Sequence, residues 1–313
     1  MKNKSTIILG IVFLILVAIY LVTSLNPREV TKGASPLFEG TKPDIDKIEI
    51  NSVIRGHIVL EKRNSLWYLK EPFEYKAYDE QVESMLTDLF NTRVDIGAVS
   101  SRVEARDQFS VGDSTGTSFK AYSAGELILD VIVGKQARDV GHFYARRRDS
   151  NNIELWRGMF SQETKRESDD WRDKIMYSFN TDDIIAIEAV EGTNTRMLDL
   201  PDSLWTYTEN GVEKPIDLNK TQSLTALIAG LHCDAFAYGE EIPRAASKEP
   251  EVKVTFTVRN GDRHTFFVWK ADDDSPRYLV RKEDGDILYL FYQYRGSQLV
   301  IDYEKLKPDE EQV

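Results

Sequence analysis

Few residues in this chain have the chemistry to act as ligands, bases or nucleophiles, and they are scattered: four histidines, one cysteine, an acidic triplet and an arginine triplet. His57 and His264 fall in predicted strands, His142 at a strand start and His232 late in a helical pattern. No two of them share the i, i+4 spacing that puts two imidazoles on one face of a zinc helix, so each reads as a structural histidine. Cys233 follows His232, but the pair lacks both a zinc ligand set and the third group that orients a thiol nucleophile. A lone cysteine also forms no intrachain disulfide, and Cys233 reads as a packed core thiol. Asp272-Asp273-Asp274 would attract a hard cation, yet a calcium loop spaces its ligands and usually adds a glycine and a distal glutamate. The triplet reads as a solvated hairpin tip. Arg146-Arg147-Arg148 lies in a predicted strand, where alternate side chains face opposite ways and at most two converge. A solvated or salt-bridged face accounts for it more simply than an anion site. No glycine-rich phosphate loop, H-E-x-x-H or G-x-S-x-G pattern occurs. No catalytic, cofactor-binding or metal-binding residue is therefore assigned, no cofactor is expected, and the sequence does not single out partner-binding residues.

The elements that would position any site come from a folded chain. At 313 residues it is long enough for about two domains, and it is 41% hydrophobic and 11% aromatic, which a chain without cores would not be. The net charge of −12 repels polyanions, and no long basic face offsets it, so nucleic acid is excluded as a partner. Near the start, Ile7 to Val22 form an uninterrupted apolar run that Thr23, Ser24 and Leu25 extend. About 20 such residues span a bilayer as a helix. Lys2 and Lys4 precede the run, which places the N-terminus in the cytoplasm. The expectation is a single-pass inner-membrane anchor over residues 1–26, contacting lipid through residues 7–25, with the folded part periplasmic or otherwise extracytoplasmic. A cleaved signal peptide is the competing reading; the run exceeds an ordinary signal core and lacks a clean A-x-A site. Residues 27–43, with Pro27, Gly33, Pro36, Gly40 and Pro43, read as a linker.

A long internal repeat follows. Ser65-Leu66-Trp67 recurs as Ser203-Leu204-Trp205, 138 positions on (205 minus 67). Ile48-Glu49 matches Ile187-Glu188, and Asp79 matches Asp217, each standing where a helix N-cap would. Behind each lies an amphipathic pattern: Val82, Met85, Leu86, Leu89 and Phe90 in the first copy, and Leu224, Leu227, Ile228 and Leu231 in the second. Alternating runs then stay in step, separated by turns at Ala124-Gly125 and Asn260-Gly261, the latter a strong hairpin signal. The predicted architecture is α+β: two tandem repeats, 44–178 and 179–313, each an antiparallel sheet with one face covered by a helix. Equal register places Trp67 and Trp205 in equivalent core sites, with a ligand-stacking tryptophan as the alternative reading.

The order of these motifs resembles the bacterial domain-of-unknown-function family forty-three-forty. The resemblance is carried by Val59 to Arg63 running into Leu66-Trp67-Tyr68-Leu69 and Glu71-Pro72, then Ala77-Tyr78-Asp79. Further matches are Gly134-Lys135, Phe143-Tyr144-Ala145 and Trp171-Arg172-Asp173-Lys174. Gln108-Phe109-Ser110-Val111 stands where such proteins carry a Tyr-Gly-Leu-like element, with Ser110 in place of its glycine. The resemblance implies a membrane-anchored protein encoded beside gliding-type ABC transporter components, without established chemistry. The functional expectation is an extracytoplasmic binding or scaffolding protein, an accessory to an ABC-type transporter or another envelope assembly. The alternative is an envelope hydrolase acting on glycan or peptide through paired carboxylates between the repeats.

Overall fold

The computed structural model describes residues 34–38, 43–237, 249–270 and 277–309, with Phe13. They divide into two compact units, Met1–Arg172 and Asp173–Val313.

The first unit is built on one ten-stranded antiparallel sheet. Its strands are β1 (Ser35–Pro36), β2 (Lys47–Ser52), β3 (Gly56–Arg63), β4 (Leu66–Glu71), β5 (Tyr75–Lys76), β6 (Arg93–Ser100), β7 (Thr117–Ser123), β8 (Glu126–Gln136), β9 (His142–Arg147) and β10 (Ile153–Arg157). They lie in the order β1-β6-β10-β9-β8-β7-β2-β3-β4-β5. Helix α1 (Asp79–Asn91) connects β5 to β6, and the short α2 (Phe160–Glu163) follows β10. Period-two burial sends Ile48 and Ile50 inward from β2 and Phe119 and Ala121 from β7. The turns Asn64-Ser65 and Ala124-Gly125 carry positive φ at both central residues, the two-residue geometry whose twist suits a hairpin. Trp67, Trp156, Trp171, Phe119, Phe143 and Phe160 fill the core with Val82, Met85 and Leu89 of α1.

That sheet is curved, and the reach of the chain requires it. Laid flat, β5 and β6 would stand eight strand spacings apart, about 38 Å. Between them run α1 and only three further residues, which together reach about 35 Å even in line. The two ends of the sheet therefore bend toward each other over the helix.

The second unit repeats the plan. Its strands are β11 (Ile184–Glu191), β12 (Asn194–Asp199), β13 (Thr206–Glu209), β14 (Val212–Lys214), β15 (Ala235–Phe236), β16 (Val252–Val258), β17 (Arg263–Lys270), β18 (Arg277–Lys282) and β19 (Tyr289–Tyr292). Its helices are α3 (Leu218–Ala229), α4 (Gln293–Leu299) and α5 (Tyr303–Leu306). The order β14-β13-β12-β11-β16-β17-β18-β19-β15 matches β5-β4-β3-β2-β7-β8-β9-β10-β6 strand for strand. Single bonds match too: Lys62 N–H donates to Asp46 O at 2.8 Å, as Leu200 N–H donates to Ile185 O at 3.0 Å.

The α+β expectation is overturned. The chain is predominantly antiparallel sheet, in two large sheets, and the helices are subordinate. The strands before each helix join those after it through the β2–β7 and β11–β16 pairings, giving sheets far wider than one helix can cover. A strand directly after α1, Arg93–Ser100, was not expected at all. Among the described residues no helix is long and apolar enough to cross a membrane. The apolar run 7–25 lies outside the described residues apart from Phe13, as do Pro27, Gly33 and Gly40 of the linker and the triplet Asp272–Asp274. The Asn260-Gly261 hairpin forms, but with a loop over 259–262 rather than a two-residue turn; Asn210-Gly211 has the two-residue geometry instead. Of the two aspartates, Asp217 caps α3 through the amides of Asn219 and Lys220, whereas Asp79 is the first residue of α1 and accepts from Trp67 N–H.

Candidate functional site

The hairpin that carries the repeated Ser-Leu-Trp differs between the units at its tip. In the first, β3 and β4 stay paired through Lys62–Trp67 to Arg63–Leu66. Trp67 is 1% exposed, and its Nε1–H donates to Glu83 at 2.9 Å. In the second, the same register holds up to Asp199–Thr206 and then the ladder opens. The turn itself is kept, since Asp202 and Ser203 hold φ 50° and 68° where Asn64 and Ser65 hold 50° and 67°. What changes is Pro201, which stands where the first copy has Arg63 and has no N–H. Directly before it, Leu200 turns out of extended geometry, with φ −114° and ψ 62°. Leu200 and Trp205 lose their pairing, and Trp205 comes to rest half-buried outside the sheet. The expectation that Trp67 and Trp205 fill equivalent core sites is therefore wrong at Trp205. In this hairpin of the second unit the inward aromatic is Tyr207, which is fully buried.

Trp205 lines a depression of about 480 Å³ in the second unit, a volume typical of small-ligand sites. Leu204 and Leu218 stand beside it, 57% and 49% exposed. Ile184 and Leu200 extend the apolar part of the lining, and the remainder is polar, with Asp182, Gln222 and Arg259 the long planar groups. Each is held by a separate element. Asp182 sits in the short helical turn Thr181–Asp183 that leads into β11, and Gln222 is on α3. Arg259 follows β16; its amide donates to Asp183 O at 2.7 Å and its Nη2 to Asp182 O at 2.8 Å, tying the turn to the sheet. Neither the Asp182 carboxylate nor the Gln222 side-chain amide hydrogen-bonds another described residue, so both are available to a ligand. Nearby Asp199 has its pKa raised, first by burial and then by Glu188.

The arginine triplet is occupied by resident partners. Arg146 is buried; its Nε donates to Val111 O at 3.1 Å and its Nη2 to Asp113 at 2.9 Å, while Nη1 reaches Arg148 O and Ser150 O. Burial, then Arg106, lowers its pKa. Arg148 donates to the same Asp113 oxygen at 2.8 Å and to Ser118. Arg147 faces the other way, over the Trp156 ring and 3.6 Å from Glu154. The guanidinium groups thus already hold carboxylates and carbonyls, and the arrangement fastens a loop to β9.

The histidines are dispersed. His57 pairs with Glu71 at 2.9 Å, His142 with Asp95 at 3.0 Å, and exposed His232 with the carbonyl of Gly230. His264 is stacked 5.2 Å from Phe256 in an aromatic group with Tyr177 and Phe179. Cys233 is buried, as a core thiol would be. Among the described residues no three His, Cys, Asp or Glu side chains gather as a metal site. Sequence reasoning missed the Trp205 depression; its signal was Pro201, a proline where a ladder should continue.

None of the curated proteins and none of the solved structures matches the chain. A family model does match, over residues 67–251, a span that includes both Trp67 and Trp205 and more than half of the sequence. The chain belongs to that family, described as a domain of unknown function (DUF4340).

Proposed function

We propose that this protein is a non-catalytic, membrane-anchored binding or scaffolding protein, working outside the cytoplasm as an accessory to an envelope assembly such as an ABC-type transporter. The apolar run 7–25 behind Lys2 and Lys4 supports the location, and the transporter setting rests on the resemblance of motifs alone. The observation that carries a binding role is Trp205. A tryptophan sealed in one copy of a hairpin is, in the other, presented at a depression with unpaired polar groups around it. A large aromatic face left near solvent beside two exposed leucines marks a contact surface.

Site-directed cross-linking tests this. Cys233 is the single cysteine and is buried, so one cysteine introduced on the surface is labelled selectively. A photoreactive group at Leu204→Cys, irradiated in the full chain in native membranes, is expected to give discrete adducts. The same group at Val140→Cys, a position 96% exposed in the first unit, is the control. Equal yields at both positions, or adducts at Leu204→Cys that persist unchanged in a Trp205→Ala background, would reject the depression as a binding surface.

A further inference from the structure

We infer that the Trp205 depression takes a carbohydrate: a short stretch of glycan, with one sugar ring against the indole and its hydroxyl groups bonded to Asp182, Gln222 and Arg259. This rests on the binding reading above and names its ligand class. The chemistry follows from what the lining offers. Asp182 supplies a carboxylate with two acceptor oxygens, Gln222 an amide that both donates and accepts, and Arg259 a guanidinium fork of which only Nη2 is engaged with a described residue, the carbonyl of Asp182. Ser203 and Thr181 add hydroxyl groups. Adjacent sugar hydroxyls are paired donors and acceptors at the spacing that planar, two-atom side chains bind bidentately. A pyranose also has faces of C–H groups, which match an aromatic face presented in a half-open depression.

Other occupants fit less well. A helix docking from a partner protein needs a continuous apolar groove, whereas here Ile184, Leu200, Leu204, Trp205 and Leu218 share the lining with charged and amide groups from three elements. An anionic lipid surface would meet a protein of net charge −12, with Asp182 itself in the site. A nucleotide or other polyanion is disfavoured by the same carboxylate. A neutral, hydroxyl-rich ligand uses the polar groups of the lining without opposing the Asp182 carboxylate, and its C–H faces meet the apolar ones.

Tryptophan fluorescence tests the inference directly. Trp67, Trp156, Trp171 and Trp269 are buried and Trp205 is half-buried, so a neutral quencher such as acrylamide reports mainly on Trp205. With the full chain in detergent, chitotetraose and maltotetraose are titrated as probes while quenching is followed. The expected result is saturable protection of Trp205 by at least one of them, half-complete at about 0.1–1 mM. Gln222→Ala and Arg259→Ala, both at exposed positions, are each expected to weaken it about tenfold, the first with unchanged melting and the second with a small drop from the lost bond to Asp182 O. Trp205→Phe supplies the blank. Protection by neither oligosaccharide overturns the carbohydrate assignment, as does protection that Gln222→Ala and Arg259→Ala leave intact. The broader reading is judged apart from it. If the sugars fail while Leu204→Cys still cross-links in a Trp205-dependent way, the depression binds something else; if both fail, the site itself is rejected.

Discussion

Trp67 and Trp205 occupy the same position of the same hairpin, 138 residues apart (205 minus 67), and only Trp67 is sealed in a core. Much around the pair agrees between the copies: the strand order, the rungs Leu60–Leu69 and Glu61–Tyr68 against Leu198–Tyr207 and Asp199–Thr206, and the left-handed turn two residues upstream. The divergence that frees Trp205 lies in the last rungs of one ladder, where Pro201 replaces Arg63. A fold can keep its architecture and still release one aromatic side chain when a single backbone donor is lost.

The first prediction follows from that asymmetry. Trp205→Phe should remove most of the acrylamide-accessible fluorescence of the unliganded protein and leave its melting midpoint within a degree or two, because a half-buried rim residue contributes little to the core. Trp67→Phe should leave the accessible fraction intact and cost about 2 kcal/mol, from lost packing and the lost bond to Glu83. Quenching constants and denaturant midpoints for the two variants decide it; a result in which the roles are exchanged rejects the assignment.

Ser110 supplies the second. Its φ is +56°, in the left-handed region that costs an ordinary residue about 1 kcal/mol. The surrounding loop is drawn tight, with a Cβ on Gly134 meeting the backbone oxygen of Phe109 at 2.4 Å. Ser110→Gly should therefore hold or raise stability, by up to about 1 kcal/mol, since relief of strain outweighs the added freedom of the unfolded chain. Ser110→Val, β-branched in the same conformation, should lower it by about 2 kcal/mol. Chemical denaturation of the pair checks the sign of each.

Much of this was legible in the sequence, for reasons that can be named. Period-two alternation marks β7, β9 and β16, because each buries one face and so repeats its apolar residues every second position. Helical spacing marks α1, whose Val82, Met85, Leu86 and Leu89 are buried together. Sheet width was not legible, since which strands pair is settled by long-range register that no local pattern records. Strand β6 was hidden because its residues 96–99 are exposed, so it carries no burial alternation. The site was hidden for the opposite reason: the repeat that revealed Trp205 also argued that it must behave like Trp67. Only the proline upstream broke the symmetry.

The third prediction concerns Arg146, the one arginine of the triplet that is buried. Its guanidinium satisfies the carbonyls of Val111, Arg148 and Ser150 and, with Arg148, shares Asp113. Removing it strands the buried carbonyl of Val111 and releases those of Arg148 and Ser150 together with Asp113, so Arg146→Met should cost about 3 kcal/mol. Arg146→Lys should recover little of this, because an ammonium cannot reach several acceptors in a plane. Arg147→Met, which loses a half-exposed contact with Trp156 and Glu154, should cost under about 1 kcal/mol. Near-equal losses at 146 and 147 in urea titrations would show that the triplet acts as a surface.

The fourth prediction is a pH dependence set by Glu154, a buried carboxyl whose Oε2 accepts from Trp156 Nε1–H at 2.6 Å. Burial raises its pKa above the ordinary 4.5, and the tryptophan bond and Arg147 only partly oppose this. A folded-state pKa above the unfolded one means the folded chain holds the proton more tightly. The stabilising contribution is complete below pH 4.5 and disappears as the pH climbs through the folded value. Glu154→Gln keeps an oxygen for Trp156 and has nothing to ionise. At neutral pH it should therefore be the more stable of the two, and the advantage should shrink on acidification and vanish below about pH 4.5. Other shifted carboxyls, such as Asp88 and Asp199, titrate in both proteins and cancel from the difference. Melting both proteins from pH 4 to pH 8 and subtracting the curves isolates Glu154. A difference independent of pH, or one that grows toward acid, would show that burial does not hold the proton on this carboxyl.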